Sequence, residues 1–572
     1  MYTSNFLFRE PRVTVREQIE QLLGRALTAA QAAGRLPDID PDDLGLERSR
    51  VEDADYSSTL PMRLARAVGE APRDIATALV DSIESSEVLA GVSVAGPGFI
   101  NFVLADDWLA DQVESINRAG DEFGRSDGGA GKRVQVEFVS VNPTGPLTVG
   151  HGRGAVLGDV LARVLGAVGY DVHREYYVND SGNQVRLLGA SIYSHYAAEF
   201  DTEVTFPAGG YLGDYVVDWA REIAAEEGRR YLDLSEEEAV AAFTGAGMER
   251  ALIVIREHLG EIGIEFESWF HESELHAAGA IERVIERLRG GGFVSEREGA
   301  VWFTHGDGSA DQENVLVKRT GEPTYLTSDI AYHRNKFETR KMDWVIDILG
   351  ADHHGHAPRM LAAMDALGIA RERLTYVICQ MVHVVVEGVP VKQSKRAGDF
   401  ELLSQLVADV GADATRYHML ARSADSQMDF DVDLARSQTE ENPVHKIRYA
   451  HARIASILRN AAEQKIDFAG ADLRRLTERE ELDLIRTMLD FPEMLANAAE
   501  SLEPHHLPHF ALGLAGQFNS YYHVHRVISE DKDKTRARLQ LVSAVKQVFG
   551  NVLGLMGISA PERMIREEQP AV

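Results

Sequence analysis

Apolar residues recur at helical spacing early in the chain, at Ile19, Leu22, Leu23, Ala26 and Leu27, and predict a helix over 13–36. A second helical region is expected over 61–87. The run VSVAGPGFINFVL (92–104) alternates like two strands around a Gly-Pro-Gly turn. These elements make a compact α+β unit that ends at a polar, glycine-rich link over 124–131. The pattern then changes. VQVEFVSV (134–141) is a continuous β-branched and apolar run, as expected of a buried parallel strand. The loop NPTGPLTVGHG (142–152) follows, and then an amphipathic helix over 153–170. Strand, loop and helix in this order open a nucleotide-binding α/β domain. Residues 189–298 are mostly helical, with acidic patches such as LSEEEAVAAF (234–243), and are read as an insertion. Strand-like runs return at AVWF (300–303), NVLVKR (314–319), WVIDILG (344–350) and YVICQMVHVVV (376–386). Beyond 400 the pattern is nearly all helical, with a boundary near 439–443 and a loose tail over 565–572.

Length sharpens this picture: 572 residues exceed a single core, so several domains are expected. With 44% hydrophobic residues the cores need no staples, and a lone cysteine, Cys379, excludes an internal disulfide framework. Residues 1–12 carry no apolar run of the secretory kind, and no stretch reaches the ~20 uninterrupted apolar residues of a spanning helix. A soluble cytoplasmic protein without membrane partners is expected. The formal net charge of −31 weighs against a polyanionic partner, although a local basic face on an acidic body is compatible with it.

Five groups of residues carry candidate chemistry. Pro143, Gly145, Pro146, Thr148, Gly150 and His151 lie between a strand and a helix. A glycine there lets an adenine approach the backbone, the helix start favours anions, and a histidine can meet charge on a transferring phosphate. A plain Pro-Gly turn with a surface histidine fits the same residues. VKQSKRAG places Lys392, Lys395 and Arg396 with Ser394 on a glycine-flanked loop, suited to clamping a triphosphate or simply to solvation. DHHGH (352–356) invites a metal, but the spacing is poor for one face of a helix, and nucleotide contacts are favoured. In TYLTSDIAYH (324–333), Tyr325 and Asp329 share a face if helical, and an aspartate there can take a guanidinium or serve as a surface acid. HKIRYAHARIASILR (445–459) and YYHVHR (521–526) mix basic, histidine and aromatic residues, as unpaired bases or an ordinary bundle face would require.

Taken in order, EFVSVNPTGPLTVGHGRGAVLGD (137–159), GYDVHREYYVNDSGNQ (169–184), EPTYLTSDIAYHRNKFE (322–338), GADHHGHAPRM (350–360), VKQSKRAGDF (391–400), GADATRYHML (411–420) and GISAPERM (557–564) resemble the arginyl-tRNA synthetase family. GAVWF (299–303) and GPGFINF (96–102) extend the resemblance to nearly the whole chain. It implies a multidomain α/β fold. A Rossmann-type parallel-sheet catalytic domain over 128–438 would carry the helical insertion at about 189–298 and a KMSKS-type loop at 391–398. An N-terminal tRNA-contacting α+β domain would span 1–127, and an all-α anticodon-binding bundle 439–572. The implied reaction activates arginine with ATP, accompanied by Mg²⁺, and loads it onto the 3′-terminal adenosine of tRNA-Arg. Activation would depend on bound tRNA. The resemblance assigns ATP to Pro143, Thr148, Gly150, His151, Gly152, Asp352, His353, Lys392, Ser394, Lys395 and Arg396, with His151, Lys392 and Lys395 catalytic. It assigns arginine to Glu137, Asn142, Tyr325 and Asp329. Contacts to tRNA would come from Phe99, Asn101, Arg448, Tyr449, Tyr522 and Arg526. No structural metal is expected, and a monomer is.

Two positions depart from the family pattern. Thr148 stands where the first histidine of HxGH is expected, and Gln393 where the methionine of KMSKR is. Threonine keeps a hydrogen-bonding hydroxyl without imidazole reach. Two rival readings remain at this point. Another class I ligase or small nucleotidyltransferase would share the HxGH chemistry, and a tRNA-binding relative with a decayed site would explain Thr148.

Overall fold

The computed structural model describes residues 14–51, 53–304, 314–391 and 402–564. Its centre is a five-stranded parallel sheet with the order Leu374–Cys379, Trp344–Gly350, Arg133–Glu137, Asp171–Val178, Ser268–His271. The strand that comes first in the chain, Arg133–Glu137, lies in the middle. The chain builds outward on one side through Asp171–Val178 and Ser268–His271, then crosses to the other. That reversal opens a crevice at the carboxyl ends of the strands, where open α/β sheets bind ligands.

The central strand stops at Glu137, four residues earlier than its apolar run suggests. Val139 and Ser140 take left-handed backbone angles, φ 67° and 41°. A β-branched residue there is strained and is held by its surroundings. Ser140 Oγ accepts from the Tyr177 N–H at 3.0 Å, and Val141 C=O accepts from the buried Tyr176 hydroxyl at 2.8 Å. The loop is thus bolted to the neighbouring strand before it reaches the helix Val149–Ala167.

The stretch read as an insertion divides in two. Helices Asn183–Ala198, Asp214–Glu227 and Glu236–Glu261 build a separate core around Ile192, Tyr196, Trp219 and Phe243. Ser268–His271, inside the same stretch, returns to the central sheet as its edge strand. Four residues give too short a pattern to be told from a loop. The run at 376–386 also splits. Val382–Val386 leaves the central sheet and pairs in parallel with Met428–Asp431. The break falls at Gln380, whose N–H and C=O are taken by Ala424 O and Arg153 Nη1. Val294–Arg297, Ala300–Phe303 and Val315–Val317 form a small antiparallel sheet of their own.

The N-terminal unit has a four-stranded antiparallel sheet, including Leu89–Ala95 and Phe99–Leu104 around the expected turn. Its first helix, Val15–Ala32, starts at a reciprocal cap between Thr14 and Glu17. The helical region at 61–87 is two helices, Leu60–Val68 and Pro72–Val80, separated by left-handed Gly69. This unit docks onto the C-terminal helices through Arg486–Asp55 at 2.7 Å and Arg16–Glu493 at 3.0 Å. The helix Lys532–Met556 is long and apolar enough to cross a membrane. It is also a core helix of the C-terminal bundle, with Val542, Val545 and Phe549 wholly buried.

Candidate active site

The loop 138–148 delivers the signature to the crevice. Tyr215, from the separate helical unit, donates its hydroxyl to Thr144 C=O at 2.8 Å and lies where a side chain on Gly145 would have to go, 2.7 Å from an added Cβ. Thr148 is the N-cap of Val149–Ala167, and its N–H donates to Nδ1 of His151 at 3.1 Å. Because Nδ1 accepts, the proton of the neutral ring sits on Nε2. Burial pushes the imidazole below its ordinary range, which favours that neutral form. The helix start therefore presents an Nε2–H donor, the group needed to meet developing negative charge.

Around it, the positions expected to touch ATP differ in character. Gly150 is exposed, and a Cβ there would meet only Thr148 Oγ1, at 3.7 Å. Pro143 is buried. Gly152 is buried against Leu403, which an added Cβ would approach to 2.8 Å, so its glycine serves helix packing. Asp352 and His353 form an exposed turn after the strand Trp344–Gly350. Among the described residues no group of His, Cys, Asp and Glu is arranged to hold a metal ion. Lys392, Ser394, Lys395 and Arg396 lie outside the described residues. The chain re-enters at Leu402, which bridges to Thr148, while Leu403 N–H donates to Leu147 C=O at 2.9 Å. The described chain thus resumes at the base of the helix that carries His151.

Across the crevice, the positions assigned to arginine come from three segments. Glu137 ends the central strand and Asn142 lies in the loop, its amide donating to Gln184 Oε1 at 2.8 Å. Tyr325 and Asp329 share the helix Tyr325–Arg334, as their spacing predicts. The Tyr325 hydroxyl reaches over Gly182, 3.3 Å from where a Cβ would stand. Asp329 Oδ2 takes His356 Nε2 at 3.1 Å. Glu137 is only 8% exposed, and its Oε2 accepts from Lys336 Nζ at 2.5 Å. Burial pushes its carboxyl upward against the pull of Lys336.

Sequence reasoning missed several neighbours. Tyr177, next to last in the adjacent strand, has a buried hydroxyl with no hydrogen-bond partner among the described residues. Burial raises its pKa first, then the carboxylates of Glu272, Asp329, Glu137 and Asp180. Tyr376 has a second buried hydroxyl, without a partner among the described residues, in the field of Asp347, Asp329 and Glu137. Asn179, with its amide nitrogen turned toward acceptors, donates to Glu272 Oε2 at 2.9 Å. The crevice is therefore lined with carboxylates and idle hydroxyls, an environment built for a cation with several N–H groups. The usable signal was position for Tyr177 and Asn179, which sit near or just beyond the carboxyl end of Asp171–Val178; Tyr376 lies mid-strand in Leu374–Cys379 and carried none.

Away from the crevice, the helices Pro443–Glu463 and His506–Val524 frame a groove of about 610 Å³ lined by Lys446, Tyr449, Arg453, Gln517, Tyr522 and His523. The Arg453 guanidinium lies 5.2 Å from both the Tyr449 and Tyr522 ring centres. Arg448 pairs instead with Asp413, and Arg526 is exposed. In the N-terminal sheet, Phe99 is half-buried and Asn101 Oδ1 accepts from Ser57 Oγ at 2.6 Å.

Comparison with known proteins agrees with this architecture along its length. The family model for the class I (R) tRNA synthetase catalytic domain matches residues 113–431, more than half of the chain. Those for the arginyl tRNA synthetase N terminal domain and the DALR anticodon binding domain match 16–104 and 447–564. The chain belongs to the arginyl-tRNA synthetase family. The arginine–tRNA ligase of Syntrophotalea carbinolica is 43% identical over 555 residues, 96% of this chain and 100% of that protein. That of Dehalococcoides mccartyi is 41% identical over 552 residues, 96% and 99%. The Thermus thermophilus arginyl-tRNA synthetase structure superposes with a TM-score of 0.75 at 24% identity, covering 96% of this chain and 100% of that one, and supports the fold.

Proposed function

We propose that the anionic crevice binds arginine and that His151 presides over its activation by ATP. Arginine's carboxylate oxygen attacks the α-phosphorus in line, the bond to the β-phosphate bridging oxygen breaks, and pyrophosphate leaves with that electron pair. No enzyme nucleophile is needed; positioning and charge stabilisation suffice. His151 donates its Nε2–H to the α-phosphate as charge builds. Gly150 leaves room for the adenine, with Pro143, Thr148, Asp352 and His353 around the nucleotide. Lys392 and Lys395 neutralise the β- and γ-phosphates, and Ser394 and Arg396 add contacts to ATP. Mg²⁺ arrives with ATP as part of that substrate. Glu137 and Asp329 flank the guanidinium, and Asn142 and Tyr325 complete the pocket. In the second step the 2′-hydroxyl of the terminal adenosine of tRNA-Arg attacks the adenylate carbonyl and AMP leaves.

The divisions at 1–127, 128–438 and 439–572 are the working units of this reading. The first contacts tRNA through Phe99 and Asn101. The last uses Arg448, Tyr449, Tyr522 and Arg526, with Arg453 added between the two rings. A cytoplasmic monomer is part of the same proposal. The observation that carries the site is the convergence of Glu137, Asp329 and the idle Tyr177 hydroxyl opposite an Nε2–H histidine. The test is charging of purified tRNA-Arg with labelled arginine, with and without ATP, for the wild type and Lys395→Ala. ATP-dependent charging that collapses in the variant supports the reading. Tight tRNA binding without charging would replace it with the decayed-site alternative.

A further inference from the structure

Behind the crevice, four ionisable side chains meet in a dry core. Lys336, Asp347, His333 and Glu137 are 0%, 2%, 5% and 8% exposed. Lys336 Nζ donates to Glu137 Oε2 at 2.5 Å and to Asp347 Oδ1 at 2.8 Å. His333 Nε2 meets Asp347 Oδ2 at 2.6 Å, and its Nδ1 meets Asp329 C=O at 2.8 Å. Both ring nitrogens face oxygen atoms that can accept. Lys336 lies on a π-helical turn, Asn335–Thr339, that directly continues Tyr325–Arg334. Such wide turns are rare and cluster at functional sites.

The cluster joins two elements that carry opposite walls of the pocket. Asp347 stands on the strand Trp344–Gly350 and pairs in register with Glu137 on the central strand. His333 and Lys336 belong to the helix and turn that follow Tyr325 and Asp329. An ionic cluster buried this deeply is a poor stability device, because apolar side chains of similar volume do as well or better. What it supplies is fixed geometry: each bond tolerates little change in the distance between helix and sheet.

We infer that His333, Asp347 and Lys336 are positioning residues that set the spacing between Glu137 and Asp329, and so the preference of the pocket for arginine over lysine. This rests on the reading that those two carboxylates hold arginine. A planar guanidinium needs acceptors at set separations, whereas an ammonium is a point charge that tolerates drift. Loosening the helix against the sheet therefore weakens arginine more than lysine.

The test is ATP–pyrophosphate exchange by the full chain with tRNA present, for His333→Leu, His333→Gln, Asp347→Asn, Lys336→Arg, Glu137→Gln and Asp329→Asn. His333→Gln keeps a donor toward Asp347 and serves where the leucine variant does not fold. The expected result is a KM for arginine raised roughly tenfold or more in the His333 and Asp347 variants, with arginine–lysine discrimination reduced by a similar factor and the KM for ATP unchanged. Lys336→Arg, which keeps the charge but changes the length and donor geometry of a wholly buried side chain, shifts the arginine KM and the discrimination in the same direction. If Glu137→Gln and Asp329→Asn raise the arginine KM while the His333 and Asp347 variants lower only kcat, the cluster merely holds the fold and the inference fails alone. If Glu137→Gln and Asp329→Asn leave the arginine KM unchanged, the pocket reading fails and the inference with it.

Discussion

His151 offers the most direct trial of the proposed chemistry. Its Nδ1 accepts from the Thr148 N–H at 3.1 Å, so the neutral ring has one hydrogen to give, on Nε2. Replacing it with alanine removes a single preorganised donor that acts on developing charge. Such donors are worth ~10²–10³ in kcat, or ~2.7–4 kcal/mol. Because the ground-state phosphate gains less from the bond, the KM for ATP and arginine should change by no more than about threefold. His151→Gln keeps an N–H donor and an amide oxygen able to accept from the Thr148 N–H, but not the reach of the ring, and an intermediate loss of roughly tenfold is expected from one weakened hydrogen bond. Thr148→Val keeps the backbone N–H and loses only the hydroxyl, 3.2 Å from Nδ1, at a cost of about two- to tenfold. The assay is pyrophosphate exchange at saturating tRNA, with kcat and both KM values followed against pH. Since burial lowers the pKa of the ring, the wild-type rate should stay level as pH falls through the ordinary imidazole range and drop only below it, when Nδ1 protonates and loses the Thr148 bond. An alanine variant with unchanged kcat and a raised KM for ATP would mean uniform binding, and the transition-state role would be refuted.

Three further outcomes are expected. Arg416 is 1% exposed, pairs with the fully buried Asp159, and donates to Met556 C=O at 2.6 Å and Ile262 C=O at 2.7 Å. Arg416→Met should therefore cost about 1–3 kcal/mol in urea unfolding, by leaving the two carbonyls without their buried donor, while Asp159 keeps Arg163 and Arg174 at 2.9 and 3.1 Å. Burial holds His418 down at about 4 from an ordinary 6.5. As pH falls between those values the unfolded chain takes up a proton that the folded chain refuses, so stability present above 6.5 is lost toward 4, by about 3 kcal/mol at most, and urea melts of His418→Leu should lack that loss. Replacing Arg453 or Tyr522 with alanine should raise the KM for tRNA in charging by roughly 5- to 100-fold, the worth of ~1–3 kcal/mol per stacked base, while the KM for arginine stays unchanged.

Much of this was legible in the residues because it depends on short-range preferences. The strand–loop–helix around 134–170, the helix that brings Tyr325 and Asp329 to one face, and the change to helices beyond 400 all follow from periodicity. The order of the signature segments pointed to the family. Less legible were elements whose pattern is too short or too continuous. Ser268–His271 offers four residues to read, and the apolar run at 376–386 gives no hint that Gln380 hands it from one sheet to another. The early end of the central strand was hidden for a related reason. Val139 and Ser140 read as strand formers, and tertiary bonds from Tyr176 and Tyr177 hold that loop in place.

The sequence by itself determined where most of the longer helices and strands lie, because turn chemistry and side-chain period act over three or four neighbours. It also carried the candidate chemistry of Glu137, His151 and Asp329. What only the tertiary structure decided was their company. Lys336 reaches Glu137 across 199 residues of chain, His356 comes to Asp329 from another segment, and Tyr177 and Tyr376 bring buried hydroxyls from separate strands. Strand order in the open sheet sets those meetings, and strand order is fixed by burial of the whole core, a condition no local stretch of sequence expresses.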